Sequence, residues 1–349
     1  MCAPSSLSGV NRRILTVMVA LVPVLVFAVM LAVVPVPFVS LGPGPTFDTL
    51  GEVDGKPVVQ IEGIQTHPTT GHLNMTTVSE RDGLSLGEAL ALWSSGQQQL
   101  VPRDLLFPPG QSREDIDKAN TADFKNSQDN AAFAALGFLK YPSAVTIASV
   151  SDDGPSHGKI ETGDAIDTVN GTPVPNVAAF TGLLKATKPG QVVTLAYRRR
   201  NGPAGVSEVT LGTNKDRDYG YLGVAVLDAP WAPIKVDFNL ANVGGPSAGL
   251  MFSLAVVDKL TTGDLAGSTF IAGTGTISAD GHVGPIGGIN HKMAAAHEAG
   301  ATVFLVPAKN CYEANADNPS GLRLVKADTL SQTVDALHAL NSGGQPPTC

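Results

Sequence analysis

From Ile14 to Val39 the chain carries no charged residue, and that stretch constrains everything after it. An uncharged apolar run of this length is enough to cross a bilayer as a helix. We read it as a transmembrane helix over residues 14–39, bent by Pro23 and ended early by Pro35 and Pro37. Arg12 and Arg13 precede it, whereas Asp48 and Glu52 are the first charges after it. Positive flanks stay inside, so residues 1–13 are expected in the cytoplasm and the rest on the extracytoplasmic side of the cell membrane. A cleaved signal peptide is the competing reading. The run is followed by no A-x-A-like cleavage site, which favours an anchor.

At 349 residues with 43% hydrophobic content, the chain has material for two or three domains with sizeable cores. A net charge of −8 argues against nucleic acid as a partner. Its basic run, Arg198-Arg199-Arg200, precedes an Asn201-Gly202 turn signal and is read as a solvated strand end. Of the three cysteines, Cys2 falls on the cytoplasmic side. Cys311 and Cys349 are then the available intramolecular pair, a bridge that would tie the tail to the last domain, with two free buried thiols as the alternative. There is no CxxC or HExxH and the seven histidines are scattered, so no metal is expected. No GxxxxGK[ST] occurs either, so neither nucleotide nor other cofactor is expected.

Gly42-Pro43-Gly44-Pro45 reads as a loop leading off the membrane. Strands are expected over 57–62 and 72–78, then a Ser85-x-x-Glu88 capping box opening a helix from Ala89 to Trp93, and a second helix from about Arg113 to Leu139. We take residues 40–141 as an α+β adaptor that positions later domains. Leu136-Gly137-Phe138, tempting as a carboxylate-binding loop, is set aside because it ends a predicted helix. Beyond Pro142 come Gly163-Asp164-Ala165-Ile166-Asp167-Thr168-Val169-Asn170-Gly171, an apolar helical face of Val177, Phe180, Leu183 and Leu184, and an alternating strand from Val192 to Arg198. These features resemble a PDZ domain of the bacterial protease type, placed at 142–213. The resemblance implies capture of extended peptides by strand addition beside a helix. A purely structural module stays open.

Gly244-Gly245-Pro246-Ser247-Ala248-Gly249 opens an apolar run through Val257, expected as a buried helix starting at Ser247. Its glycines leave space for a substrate backbone, and the amides of its first turn are placed to hold an oxyanion. Lys292 lies 45 residues after Ser247, in the first turn of a helix expected to have Asn290 as N-cap and Gly300 as stop. A helix N-terminus and partial burial both disfavour an ammonium, which makes a lysine a usable base for a serine hydroxyl. Taken singly, the first segment is equally a capping loop and the lysine a solvated side chain. Their pairing is what points to chemistry.

Together with Ala272-Gly273-Thr274-Gly275-Thr276-Ile277, Pro285-Ile286-Gly287-Gly288 and the strand-like Thr302 to Pro307, these motifs resemble the Lon-type serine–lysine peptidases over 219–340, leaving 341–349 as a tail. The resemblance implies an α/β proteolytic domain with Ser247 as nucleophile, Lys292 as general base and Thr274 orienting the lysine. Gly245, Pro246 and Ala248 would form the supporting loop. It also implies assembly into homo-oligomeric rings. The acidic residue that many members carry directly before the GPSAG glycine is Gly244 here. The family's ATPase module has no counterpart in the sequence, which suggests an ATP-independent relative. The expected architecture is one transmembrane helix, an α+β region, a β-rich PDZ-like domain and a C-terminal α/β Lon-type domain. The expected activity is endopeptidase cleavage of extended or unfolded extracytoplasmic polypeptides. The rivals are a membrane-tethered scaffold that no longer cuts, and an amidase or esterase using the same dyad on a small substrate.

Overall fold

The computed structural model describes residues 12–96, 98–241 and 243–349. Cys2 and most of the expected cytoplasmic segment 1–13 lie outside the described residues. The chain divides into two compact units, one built from residues up to Gly44 and Val78–Ile116, the other from Pro45–Thr77 and Asp117–Cys349.

In the first unit the opening helix is Arg12–Val33, and its Ile14–Val33 portion has a mean hydropathy of 2.9 with no part of it buried. The helix is shorter than the expected 14–39. Pro35 and Pro37 cannot continue it, and by Phe38 the chain has entered a strand, Phe38–Asp48. That strand contains Gly42 to Pro45, which we had expected to be a loop. Its pairing with strand Gln99–Pro102 covers only Phe38 to Leu41, so on that side no strand asks Pro43 or Pro45 for the N–H that proline lacks. The Pro43 carbonyl accepts from Ser79 Oγ at 3.0 Å. Helix Leu86–Ser94 starts with the expected capping box, Glu88 N donating to Ser85 Oγ and Ser85 N donating to the Glu88 carboxylate. It packs on the end of the first helix at Gly87, where a Cβ would stand 2.9 Å from the Leu31 carbonyl oxygen.

In the second unit, strands Arg323–Ala327, Val303–Pro307 and Phe270–Gly273 run parallel in that order, followed by His72 to Met75 of strand His72–Arg81. Their near-continuous apolar sequences suit a sheet covered on both faces. Ile271, Leu305 and Val325 pack on one side with helices Gly249–Leu260 and Leu330–Asn341. Ala272, Phe304 and Leu324 point the other way, onto helix Ile289–Glu298. The tail returns along the last strand, Lys326 N donating to Pro347 O at 3.0 Å, and Cys311 and Cys349 are joined.

A second sheet, antiparallel throughout, has the order Gly205–Thr210, Val192–Arg198, Ala165–Val169, Ser143–Val150 and Val224–Pro230. Helix Val177–Lys185 covers it with Phe180 and Leu184. Asn170 and Gly171 take φ of 51° and 78°, the left-handed pair a two-residue hairpin needs. The sheet extends beyond residue 213, because Val224 to Pro230 pairs along the whole of Ser143–Val150. The arginine run is only partly solvated, Arg198 keeping 40% of its side chain exposed. Arg198 pairs with Asp167 and stacks over Trp231, Arg199 pairs with Asp164, and the guanidinium of Arg200 is buried facing Phe133. Helix Arg113–Phe138 agrees with expectation and ends with Leu136 to Phe138 still helical.

One buried carboxylate gives this unit a pH-dependent stability. Asp258 accepts from Leu265 N through Oδ1, Oδ2 has no partner, and burial raises its pKa from 3.8 to about 6. Its folded pKa lies above the unfolded one, so its contribution is most favourable below pH 4 and is lost as the pH rises through 6. Asp258→Asn keeps the Oδ1 acceptor and removes the charge. Thermal melts should show Tm raised by roughly 2–4 °C at pH 7.5 and unchanged near pH 4; a lower Tm at pH 7.5 would contradict the burial argument.

Candidate active site

Ser247 precedes one of the most deeply buried helices of the chain. Leu250, Met251, Phe252, Leu254, Ala255 and Val256 have no exposed surface, so this helix has no freedom to shift. It begins at Gly249, with Ala248 as N-cap, rather than at Ser247 as expected. The chain enters through Gly245 at φ +81°, and the residues after it bond to Gly275 instead of continuing a helical turn. Gly275 N donates to Ser247 O at 2.9 Å and Leu250 N donates to Gly275 O at 3.1 Å. Ser247 therefore sits in a turn, with its carbonyl already held.

Lys292 comes from helix Ile289–Glu298, whose N-cap is Gly288 at φ 68° rather than the expected Asn290. The left-handed entry takes a glycine readily, and Asn290, one step inside, turns its amide to Asp317 at 2.8 Å. Lys292 N makes one of the first helical bonds, to Gly288 O at 3.1 Å, so the lysine is in the first turn. The stop at Gly300, φ +95°, is as expected.

The lysine side chain is 3% exposed and ends among three oxygens. Nζ is 2.8 Å from Ser247 Oγ, 3.2 Å from Thr274 Oγ1 and 3.1 Å from Thr76 O. Burial pushes its pKa down from 10.5 to about 8. Counting donors and acceptors then assigns each contact. A neutral amine has two N–H groups and one lone pair. Thr76 O can only accept, and Thr274 Oγ1 spends its own proton on Ser247 O at 3.1 Å, so it also accepts from Nζ. Both N–H groups are thereby used, and the lone pair is left for the Ser247 hydroxyl proton.

Thr274 follows the carboxyl end of strand Phe270–Gly273, and Thr76 lies beside it, its Oγ1 donating to Gly273 O at 3.2 Å. The site thus lies at the carboxyl end of strand Phe270–Gly273 and beside the middle of strand His72–Arg81, just past their parallel pairing. The remaining residues singled out from the sequence lie in the serine loop: Gly245 N donates to Asn120 O, Pro246 O accepts from Ser127 Oγ, and Ala248 is buried. Cys311 and Cys349 belong to a separate packing cluster. Sequence reasoning missed Thr76, Asn120 and Ser127. Thr76 and Asn120 act through main-chain carbonyls that any residue type supplies, and Ser127 is an unremarkable polar residue within a helix. Among the described residues, no three His, Cys, Asp or Glu side chains gather as a metal-binding set.

Residues 241–338 match the family model of the Lon protease (S16) C-terminal proteolytic domain, and residues 118–210 match that of the PDZ domain. This chain carries a PDZ domain followed by a Lon-type proteolytic domain. It is 41% identical to the Lon protease of Campylobacter concisus over 93 residues, 27% of this chain and 11% of that one. Identity to the Lon protease of Clostridioides difficile is 47% over 73 residues, 21% of this chain and 9% of the relative. The chain therefore matches about a tenth of the length of these relatives. The PDZ domain of the SdrC-like protein from Listeria monocytogenes aligns over 24% of this chain and 86% of that one, at 24% identity and a TM-score of 0.22.

The depressed lysine can be titrated directly. In NMR spectra of lysine-labelled protein, with Lys292→Arg as the assignment control, the Lys292 resonance should move with an apparent pKa of about 8. A midpoint near the ordinary 10.5 would show that the amine is solvated and the proton assignment above is wrong.

Proposed function

We propose that this chain is an ATP-independent, membrane-anchored serine endopeptidase that cleaves extended or unfolded extracytoplasmic polypeptides with Ser247 and Lys292. The observation that carries the proposal is the pairing of one buried amine with one hydroxyl at 2.8 Å, its lone pair the only hydrogen-bonding capacity not taken by Thr76 and Thr274. Lys292 takes the Ser247 proton as Oγ bonds to the substrate carbonyl carbon, and the carbonyl oxygen becomes an oxyanion. The Gly245 and Leu250 amides are committed to Asn120 O and Gly275 O, so the oxyanion donors are sought among Ser247, Ala248 and Gly249. Lys292 returns the proton to the leaving amine as the peptide C–N bond breaks. Water then attacks the acyl carbon, giving a proton to Lys292, which passes it to Ser247 Oγ as the acyl C–O bond breaks and the acid product leaves.

Substrate capture is assigned to the PDZ domain. Strand Val224–Pro230 ends its sheet, bonded to Ser143–Val150 along one side. Helix Val177–Lys185 lies beside it, Val177 N donating to the Asp228 carboxylate at 2.9 Å. An extended peptide adding to that edge would be held through main-chain bonds regardless of its sequence. The apolar Ile14–Val33 helix supports the anchor, and the Cys311–Cys349 bridge suits an oxidising compartment outside the cytoplasm. Ring assembly is carried over from the family alone.

The test is hydrolysis of an unfolded protein by the full chain, with Ser247→Ala and Lys292→Ala in parallel. The wild type should cut without ATP, and each variant should lose at least about 10³-fold in kcat/KM. Because the base works only when neutral, wild-type kcat/KM should rise with pH through about 8 and then level off. If all three proteins are equally inert or equally active, the dyad does no proteolysis and a binding or scaffold role takes its place. Cleavage of ester panels without peptide hydrolysis would redirect the same dyad to a small substrate.

A further inference from the structure

The serine loop is gripped from a helix outside the sheet that carries the lysine and threonine contacts. Helix Arg113–Phe138 meets the loop at two places about two turns apart. Gly245 N donates to Asn120 O at 2.9 Å, and Ser127 Oγ donates to Pro246 O at 2.9 Å. Gly244 lies against the same helix, so close that a Cβ on it would stand 3.0 Å from Asn120 Cβ. Gly249, at the other end of the loop, leaves a Cβ only 2.9 Å from Ser127 Oγ. A serine inside a helix commonly turns its hydroxyl back to its own preceding turn, as Thr121 does to Asp117 O in this same helix. Ser127 is 3% exposed and sends its proton across to the loop instead.

We propose that helix Arg113–Phe138 clamps the nucleophile loop and that Ser127 is a positioning residue for Ser247. The proposal rests on the Ser–Lys reading and adds what sets the serine's direction. The peptide plane before Ser247 contains Pro246 O, which Ser127 holds. The plane after it contains Ser247 O, held by Gly275 N and Thr274 Oγ1. With both flanking planes pinned, φ and ψ of Ser247 are set, and with them the direction in which Oγ leaves the backbone toward Lys292. The plane held by Ser127 also carries the Ser247 N–H, a candidate oxyanion donor. One hydroxyl thus orients the nucleophile and an electrophilic amide together. Gly244 follows from the same contact: a Cβ at that position would have to push Asn120 back by a few tenths of an ångström.

A loosened plane lets Oγ swing from its line to the carbonyl while the rest of the cleft stays, so the loss falls on the chemical step. For the full chain acting on an unfolded protein, Ser127→Ala should lower kcat by roughly 10–100-fold with KM within about 3-fold of wild type. The second arm introduces the missing Cβ with Gly244→Ala, which should also lower kcat. Adding Asn120→Gly takes away the opposing Cβ, keeps the Asn120 carbonyl that receives Gly245 N, and should restore most of the loss. Rescue of this kind separates a positioning contact from general damage to the fold, and the second arm stands even if Ser127→Ala misfolds. An active wild type with Ser127→Ala at undiminished kcat, or Gly244→Ala left unrescued by Asn120→Gly, overturns the clamp alone. A wild type no more active than Ser247→Ala removes the Ser–Lys reading on which the clamp rests, and the clamp with it.

Discussion

A lysine amine kept out of water is the constraint around which the candidate site is organised. An ammonium at that depth loses its hydration, and the site surrounds Lys292 with a carbonyl and two hydroxyls but no carboxylate partner. That choice of partners matters. A carboxylate would have stabilised the charged form and held the pKa up, whereas neutral oxygens leave burial to push it down to about 8. The same three contacts then orient the free lone pair, so ionisation and direction come from one arrangement.

The parts that build this arrangement come from distant places in the chain. Thr76 reaches the lysine because His72 to Met75 runs parallel to Phe270 to Gly273 in one sheet. Thr274 is delivered by the end of that neighbouring strand, and Ser247 by the turn that leads into a helix packed on the sheet's face. Segments on both sides of the PDZ domain therefore contribute to a single candidate site, Thr76 from before it and Ser247, Thr274 and Lys292 from after it. Helix Arg113–Phe138 has a comparable double attachment. It holds the serine loop through Asn120 and Ser127, and its Phe133 meets the buried guanidinium of Arg200, two residues past strand Val192–Arg198 of the PDZ sheet.

Several departures from the sequence expectations share one cause, competition between a local signal and a tertiary partner. Gly42 to Pro45 carries every mark of a loop, yet a strand absorbs it because the prolines fall past the end of the pairing with Gln99–Pro102. Asn290 is a good N-cap by type, but Gly288 accepts the left-handed geometry at the helix entry and Asn290 is recruited by Asp317. The three arginines look fully solvated in sequence; Arg198 and Arg199 instead pair with Asp167 and Asp164 while staying partly exposed, and the Arg200 guanidinium is buried.

The sequence by itself determined the apolar helix at the N-terminus, the capping box at Ser85, the hairpin at Asn170-Gly171 and the serine and lysine segments. Each of these depends on neighbours within a few residues: periodicity, glycine at positive φ, or a capping side chain. Only the tertiary structure decided that Thr76 O would fix the amine, that Ser127 would hold the loop, and that Lys292 would be dry enough to titrate near 8. Those are properties of burial and of main-chain carbonyls, which carry no side-chain signature and exist only once strands far apart in the chain lie side by side.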